Sequence, residues 1–171
     1  RSRTLRTTGV GESFLADRIA TIPDGVGDAW LAYLPNAEGT DLRLTVRGVA
    51  SEEADRRLAA SAERLRSVVA DAVYGEDGAD LAAVVLDLCR ERGLTIAVAE
   101  SCTGGLLGAR LTAIPGSSDV VVGGVIAYAN EVKRELLGVS KDDLTEHGAV
   151  SDPVVRAMAT GVRAATGARV G

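Results

Sequence analysis

Residues 94–105, Leu-Thr-Ile-Ala-Val-Ala-Glu-Ser-Cys-Thr-Gly-Gly, constrain this chain more than any other stretch. Leu94, Ile96 and Val98 alternate with smaller residues, which predicts a short buried strand. The apolar pattern stops at Glu100. Ser101, Cys102 and Thr103 follow, then Gly104 and Gly105, and Leu106, Leu107 and Leu111 then recur at helical spacing. A strand ends, the chain turns through small polar residues, and a helix begins. In an open α/β sheet that edge is where ligands bind. The helix start offers unpaired N–H groups and a partial positive charge. Ser101 stands where a nucleophile is exposed beside oxyanion donors. The alternative is that Ser101 or Thr103 caps the helix and the glycines form a tight turn.

Composition narrows the classes around that stretch. A chain of 171 residues suits one large domain or two small ones. Apolar residues make up 46% but aromatics only 3%, so the core is built from Ala, Val and Leu. No apolar run approaches a membrane span, and the polar, basic start Arg-Ser-Arg-Thr-Leu-Arg is not a signal peptide; a cytoplasmic location is expected. The first residue is Arg and the last four are Ala-Arg-Val-Gly, so both ends read as cut from something longer, with Val170 opening a strand. The net charge of −5 argues against a general nucleic-acid surface. Residues 1–80 hold 10 basic and 14 acidic side chains, residues 81–171 hold 9 and 10, and neither half has a basic stripe. Cys89 and Cys102 read as two thiols rather than a disulfide. His147 is the only histidine, and no metal-ligand spacing is visible. Arginine supplies all basic residues except Lys133 and Lys141.

Residues 1–10 alternate loosely, as an edge strand does. Glu12 to about Thr21 is a short helix with Leu15, Ile19 and Ile22 on one face. Ala29–Leu34 is a strand, Pro35–Gly39 a turn, and Leu42, Leu44 and Val46 alternate with polar residues in a strand with one wet face. Ser51 caps a long helix, in which Glu52 and Glu53 can pair with Arg56 and Arg57 at i,i+4. Its buried stripe is Leu58, Ala62, Leu65 and Val69. Gly75-Glu76-Asp77-Gly78 is turn-rich and marks the boundary between two units. The second opens with a helix carrying Leu81, Val84, Val85 and Leu88 on its apolar face. After the Ser101 turn and its helix, Val120–Ala127 is a dense apolar run that reads as a buried strand ending at Tyr128. Asn130 caps a helix with Val132, Leu136 and Leu137. Ser151-Asp152-Pro153 starts another, with Val155, Met158, Ala159 and Val162 buried. Helices alternating with buried strands are the signature of an α/β layer fold.

Two strand ends thus carry polar side chains, Ser101-Cys102-Thr103 on one and Tyr128 with Lys133 on the other, and side by side they face one cleft. Near a helix N-terminus, and buried, a lysine is pushed toward its neutral form, which a general base needs. The alternative for Lys133 is a solvated surface lysine. Tyr128 either relays a proton or orients Lys133, or it packs on the core. Cys102 is a second nucleophile candidate. His147 lies in a loop and is at best a substrate contact. Glu100 at a strand end is either structural, the preferred reading, or a substrate contact. The Gly116-Ser117-Ser118 loop either holds a phosphate through its N–H groups or is a plain turn. No Gly-x-Gly-x-x-Gly follows a strand, and Gly104 excludes a Ser-x-x-Lys arrangement.

The segments Ala99-Glu100-Ser101-Cys102-Thr103-Gly104-Gly105, Pro115-Gly116-Ser117-Ser118, Tyr128-Ala129-Asn130-Glu131-Val132-Lys133 and Gly148-Ala149-Val150-Ser151 together resemble the CinA C-terminal domain, a family that includes nicotinamide mononucleotide deamidases. Arg3–Thr7, Gly9–Ser13 and the hairpin and helix after them resemble the KH-like middle domain of the long form. The resemblance implies a KH-like α+β domain over residues 1–78, followed by an α/β layered domain over 79–171. It implies a bacterial amidohydrolase of pyridine nucleotide salvage, with Ser101 as nucleophile, Lys133 as base and Tyr128 assisting. The expected substrate contacts are Thr103, Gly104, Gly105, Ser117 and Asn130. The substrate is a small nucleotide and no cofactor, metal or membrane is expected; nucleic acid is not an expected partner, and a homodimer is expected for the full-length protein. The family pattern continues beyond residue 171, so the α/β domain is expected to be incomplete and the piece inactive by itself. The alternative from another class is a non-catalytic regulatory or nucleic-acid-binding module associated with competence and DNA damage.

Overall fold

The structure is a computed structural model that describes residues 1–171. By chain contacts it divides into residues 1–84 and 85–171, each a compact unit.

The first unit is a four-stranded antiparallel sheet with two helices. In chain order its elements are β1 (Ser2–Thr7), α1 (Glu12–Ile19), β2 (Trp30–Pro35), β3 (Thr40–Thr45), α2 (Ser51–Val69) and β4 (Val73–Glu76), with sheet order β2-β3-β1-β4. The hairpin β2–β3 pairs Trp30 with Thr45 through Pro35 with Thr40. Asn36 closes it, its Oδ1 accepting the N–H groups of Glu38 and Gly39 at 2.8 and 3.2 Å, the local bonding that makes Asn a turn residue. Period-two alternation sends Leu42 and Leu44 of β3 and Leu5 of β1 to one face. There they meet Leu15 and Ile19 of α1 and the stripe Ala54, Leu58, Ala62, Leu65 and Val69 of α2.

Four expectations for this unit are corrected. β1 is an interior strand: it pairs with β3 on one side and β4 on the other. The loose alternation at residues 1–10 reflects Arg3 and Arg6, whose long side chains are tied to Glu76 and Asp41 rather than to solvent alone. The stretch expected to be a turn overlaps the end of β4, which takes in Gly75 and Glu76 and leaves Asp77 and Gly78 as the turn. Ser51 does not cap α2; Ala50 holds the N-cap position without a side-chain bond. Glu53 takes both arginines, Arg57 at i,i+4 and Arg56 at i,i+3.

The second unit follows from α3 (Leu81–Glu91), within which the division falls. Its remaining elements are β5 (Ile96–Glu100), α4 (Leu106–Thr112), β6 (Val121–Ile126), α5 (Asn130–Leu137), α6 (Lys141–His147) and α7 (Asp152–Thr166). β5 and β6 are parallel, with Ala97 to Glu100 opposite Gly123 to Ile126, and Val170 adds a parallel bridge to Ile96 on the other side of β5. Alternate residues of β5 serve different neighbours. Ala97 joins a core with Leu137, Val139, Val154, Met158 and Val162, whereas Val98 and Glu100 lie against Gly108 of α4.

Here too the sequence pattern is amended. The buried face of α3 is Ala82, Leu86 and Cys89, while Leu88 is exposed. β6 is not a buried strand: Val122 and Ile126 are exposed and its outer edge has no strand partner. Leu106 and Leu107 are exposed as well, leaving Leu111 as the buried leucine of α4. α6 was not foreseen; Ser140 caps it, its Oγ accepting the Asp143 N–H at 2.9 Å.

Candidate active site

Ser101 leaves the end of β5 one residue after Glu100, so the two side chains take opposite faces of the sheet. Ser101, Cys102 and Thr103 line a cleft of about 380 Å³, together with Ala99, Ala149, Val150, Ser151, Val155 and Met158. The turn that holds them needs glycine: Gly104 and Gly105 both have positive φ, 58° and 106°, a region that side-chain-bearing residues avoid. An added Cβ at Gly105 would also lie 3.1 Å from the Ile126 side chain.

Neither Ser101 nor Thr103 caps α4. Glu100 does so from beneath. Its carboxylate accepts the N–H groups of Gly105 and Leu107 at 3.0 Å each and of Gly108 at 2.8 Å. Only 3% of Glu100 is exposed. Burial pushes its carboxyl upward, but the Thr103 hydroxyl and these three N–H groups outweigh burial and hold it below the ordinary carboxylate value.

Lys133 is the largest fully buried side chain, 1% exposed. It is the fourth residue of α5, because Ala129 and not Asn130 occupies the N-cap position, without a side-chain bond. Its Nζ donates to the carbonyl oxygens of Ala127 at 2.8 Å and Tyr128 at 2.9 Å. The surface-lysine alternative is thereby removed. Ala127 also donates its N–H to the Glu100 carbonyl at 2.7 Å, so one residue joins the lysine to the strand end from which Ser101 departs.

The remaining expected residues fall in different places. Tyr128 is 77% exposed; its backbone carbonyl, not its phenol, holds Lys133. Thr103 lines the cleft, while Gly105 borders a separate hollow between α4 and β6. Gly104 is in the turn, its N–H given to the Ser101 carbonyl at 3.1 Å. Ser117 is buried with its Oγ toward the Thr112 carbonyl at 3.5 Å, away from the cleft. Asn130 is exposed at the start of α5. His147 ends α6, 3.9 Å from Glu146. The cleft residues that pattern reading did not assign are Ala99, Ala149, Val150, Ser151, Val155 and Met158, and neither Tyr128 nor Lys133 is among its lining. The turn-plus-proline signature at 148–153 marked where α7 starts but not that its first turns wall the cleft.

In the first unit, Gly75-Glu76-Asp77-Gly78 has the Gly-x-x-Gly spacing of a KH backbone clamp. Between its glycines stand two carboxylates, of which Glu76 pairs with Arg3 and Arg66 and Asp77 accepts the Thr4 N–H at 2.9 Å. Two acidic side chains at that position oppose a phosphate backbone.

Comparison with known proteins adds kinship to this geometry. Residues 78–171 match the family described as the CinA C-terminal domain, and residues 2–75 the damage-inducible protein CinA KH domain. A CinA-like protein of Gemmatimonas aurantiaca is 56% identical over 171 residues, covering 100% of this chain and 40% of its own length. One from Prochlorococcus marinus is 50% identical over 167 residues, covering 98% and 39%. The chain thus spans about 40% of the length of these relatives. Among solved structures, the competence damage-inducible protein A (ComA) of Klebsiella pneumoniae is 39% identical over 52% of this chain and 55% of that one, with a TM-score of 0.50.

Proposed function

From the premise that the chain belongs to the CinA family, we propose that its second unit is a serine amidohydrolase converting the carboxamide of nicotinamide mononucleotide to a carboxylate with release of ammonia. The observation that carries this is the pairing of a cleft-lining serine at one strand end with a buried lysine tied to the neighbouring strand end. A lysine out of water is costly unless it is hydrogen-bonded. The Ala127 and Tyr128 carbonyls supply those bonds and hold Nζ at the strand end next to the one that carries Ser101.

A serine hydroxyl needs such a base to attack at neutral pH. In the proposed course, Ser101 Oγ bonds to the carboxamide carbon while Lys133 Nζ takes its proton. The C–O π electrons move to oxygen. Collapse of that intermediate breaks the C–N bond, and Lys133 returns the proton so that ammonia leaves. Water then attacks the acyl-Ser101 ester by the same proton route and releases the carboxylate. Net, one water is consumed for each ammonia. The apolar wall of Val155 and Met158 suits a flat pyridine ring.

The test is ammonia release from nicotinamide mononucleotide by the full-length protein, with mass spectrometry of rapidly quenched enzyme. Stoichiometric ammonia, an acyl adduct on Ser101 and loss of both in Ser101→Ala are expected. Undiminished ammonia release by Ser101→Ala would sink the assignment.

A further inference from the structure

We propose that Glu100 is the positioning residue of the nucleophile turn: its carboxylate takes up the N–H groups of the helix start, leaving those of Cys102 and Thr103 as the donors for a developing oxyanion. This rests on the amidohydrolase reading of Ser101.

The N–H groups of residues 102–108 can be followed one by one, as buried backbone donors require. Gly105, Leu107 and Gly108 donate to Glu100. Gly104 donates to the Ser101 carbonyl and Leu106 to the Thr103 carbonyl, at 3.1 and 3.0 Å. Ala109 begins the helical ladder by donating to Gly105 at 2.9 Å. Within the turn only the N–H groups of Cys102 and Thr103 remain without a protein acceptor, and these are the residues that line the cleft beside Ser101. Gly104 and Gly105, expected with Thr103 as substrate contacts, have their N–H groups committed to the fold.

The chemistry of Glu100 fits holding rather than reacting. It faces α4, whereas Ser101 faces the cleft. It is ionised, because its donors outweigh the cost of burial. An anion fixed under the turn by three backbone bonds sets the ψ and φ of Ser101 to Gly105, and so the direction of Ser101 Oγ. It also cancels the partial positive charge of the helix start, which would otherwise draw an anionic substrate group down to the wrong donors.

The experiment uses Cys102 as a reporter that needs no substrate. Cys102 is exposed and Cys89 is buried, so iodoacetamide alkylates the first selectively while the chain is folded. In Glu100→Gln the negative charge is gone and one carboxylate oxygen becomes an NH2 group that cannot accept from the helix start, so the turn that carries Cys102 loosens and its sulfur is more readily attacked by the reagent. Alkylation of Cys102 is expected to speed up on the order of threefold or more, with Cys89 still protected. In parallel, turnover of nicotinamide mononucleotide by the full-length protein is expected to lose about tenfold or more in kcat with KM held within about twofold, since the donors act on the transition state. If neither wild type nor variant releases ammonia yet Cys102 responds, the amidohydrolase reading fails and with it the oxyanion role, while Glu100 still sets the geometry of the turn. Unchanged Cys102 reactivity and unchanged kcat overturn the positioning role. Should Glu100→Gln expose Cys89 as well, Thr103→Val, which removes a single hydroxyl contact to the carboxylate, carries the test. The same acceleration at smaller size supports the proposal, and wild-type alkylation and kcat in that variant overturn it.

Discussion

Gly161 sits in the middle of α7 where that helix crosses the end of α5. A Cβ added there would lie 2.0 Å from the Leu137 carbonyl oxygen, 2.6 Å from its carbon and 2.7 Å from its Cα. These are backbone atoms and cannot swing aside. Contacts below 3.0 Å are not tolerated, so α7 and the end of α5 must part by about 1 Å or more. Overpacking of this kind costs about 1–3 kcal/mol, and a backbone clash belongs at the upper end. Alanine returns up to about 1 kcal/mol of helix propensity. The clash wins, and Gly161→Ala should lose about 2 kcal/mol. For a unit of this size that is a fall of about 10 °C in Tm, read by circular dichroism. Ala164→Gly, at an exposed position of the same helix, calibrates the propensity alone and should cost about 1 kcal/mol. Because α5 carries Lys133 and α7 supplies Val155 and Met158 to the cleft, the same variant should also lower kcat. A Gly161→Ala protein melting at or above wild type would show that the helices do not meet as described.

Other variants separate chemistry from fold. Ser101→Ala should keep stability within about 0.5 kcal/mol, as for substitutions away from packed or bonded features, while ammonia release disappears; a large drop in Tm would mean the hydroxyl is structural. Lys133→Met leaves the buried Ala127 carbonyl without a donor and should cost about 1–3 kcal/mol in urea titrations, whereas Lys133→Arg keeps a charge that cannot act as base and should be inactive; normal turnover in Lys133→Arg would end the serine–lysine assignment. The depressed Glu100 carboxyl contributes stability that is complete above the ordinary carboxylate value near 4.3 and is lost as pH falls through its lower folded value. Urea melts from about pH 6 to about pH 2 should therefore show an acid limb that Glu100→Gln flattens; identical limbs would refute the ionised cap.

Where one physical rule dominated, the sequence sufficed. Leu42, Leu44 and Val46 alternate because one sheet face is wet, and the stripe Leu58, Ala62, Leu65 and Val69 repeats at helical period because one side of α2 meets that sheet. Pattern failed where neighbours decided. β4 is short, contains Gly75 and ends in acid, so nothing local distinguishes it from a turn; only its pairing with β1 makes it a strand. α3 has apolar residues nearly all round, and the choice of Ala82, Leu86 and Cys89 over Leu81 and Leu88 as the buried set is tertiary. β6 reads as buried because apolar residues are dense, but a parallel strand at a sheet edge is covered only where a neighbouring helix reaches it.

The site shows the same division at finer grain. That Ser101 would stand at a strand end followed from period and turn chemistry, and that Lys133 would be near the adjacent strand end followed from its place at the start of α5. Which N–H groups remain for chemistry did not follow, because position after a strand makes every early helix donor look free. Glu100 held the missing information. A carboxylate ending a buried apolar strand is too costly to leave unpaired, and no basic residue lies near it in sequence. The nearest donors are the N–H groups of the helix that begins six residues later. Taking that cost seriously assigns Glu100 to the helix start before any coordinates are known. It leaves Cys102 and Thr103, the two residues between the nucleophile and the glycines, as the donors with nothing else to bind.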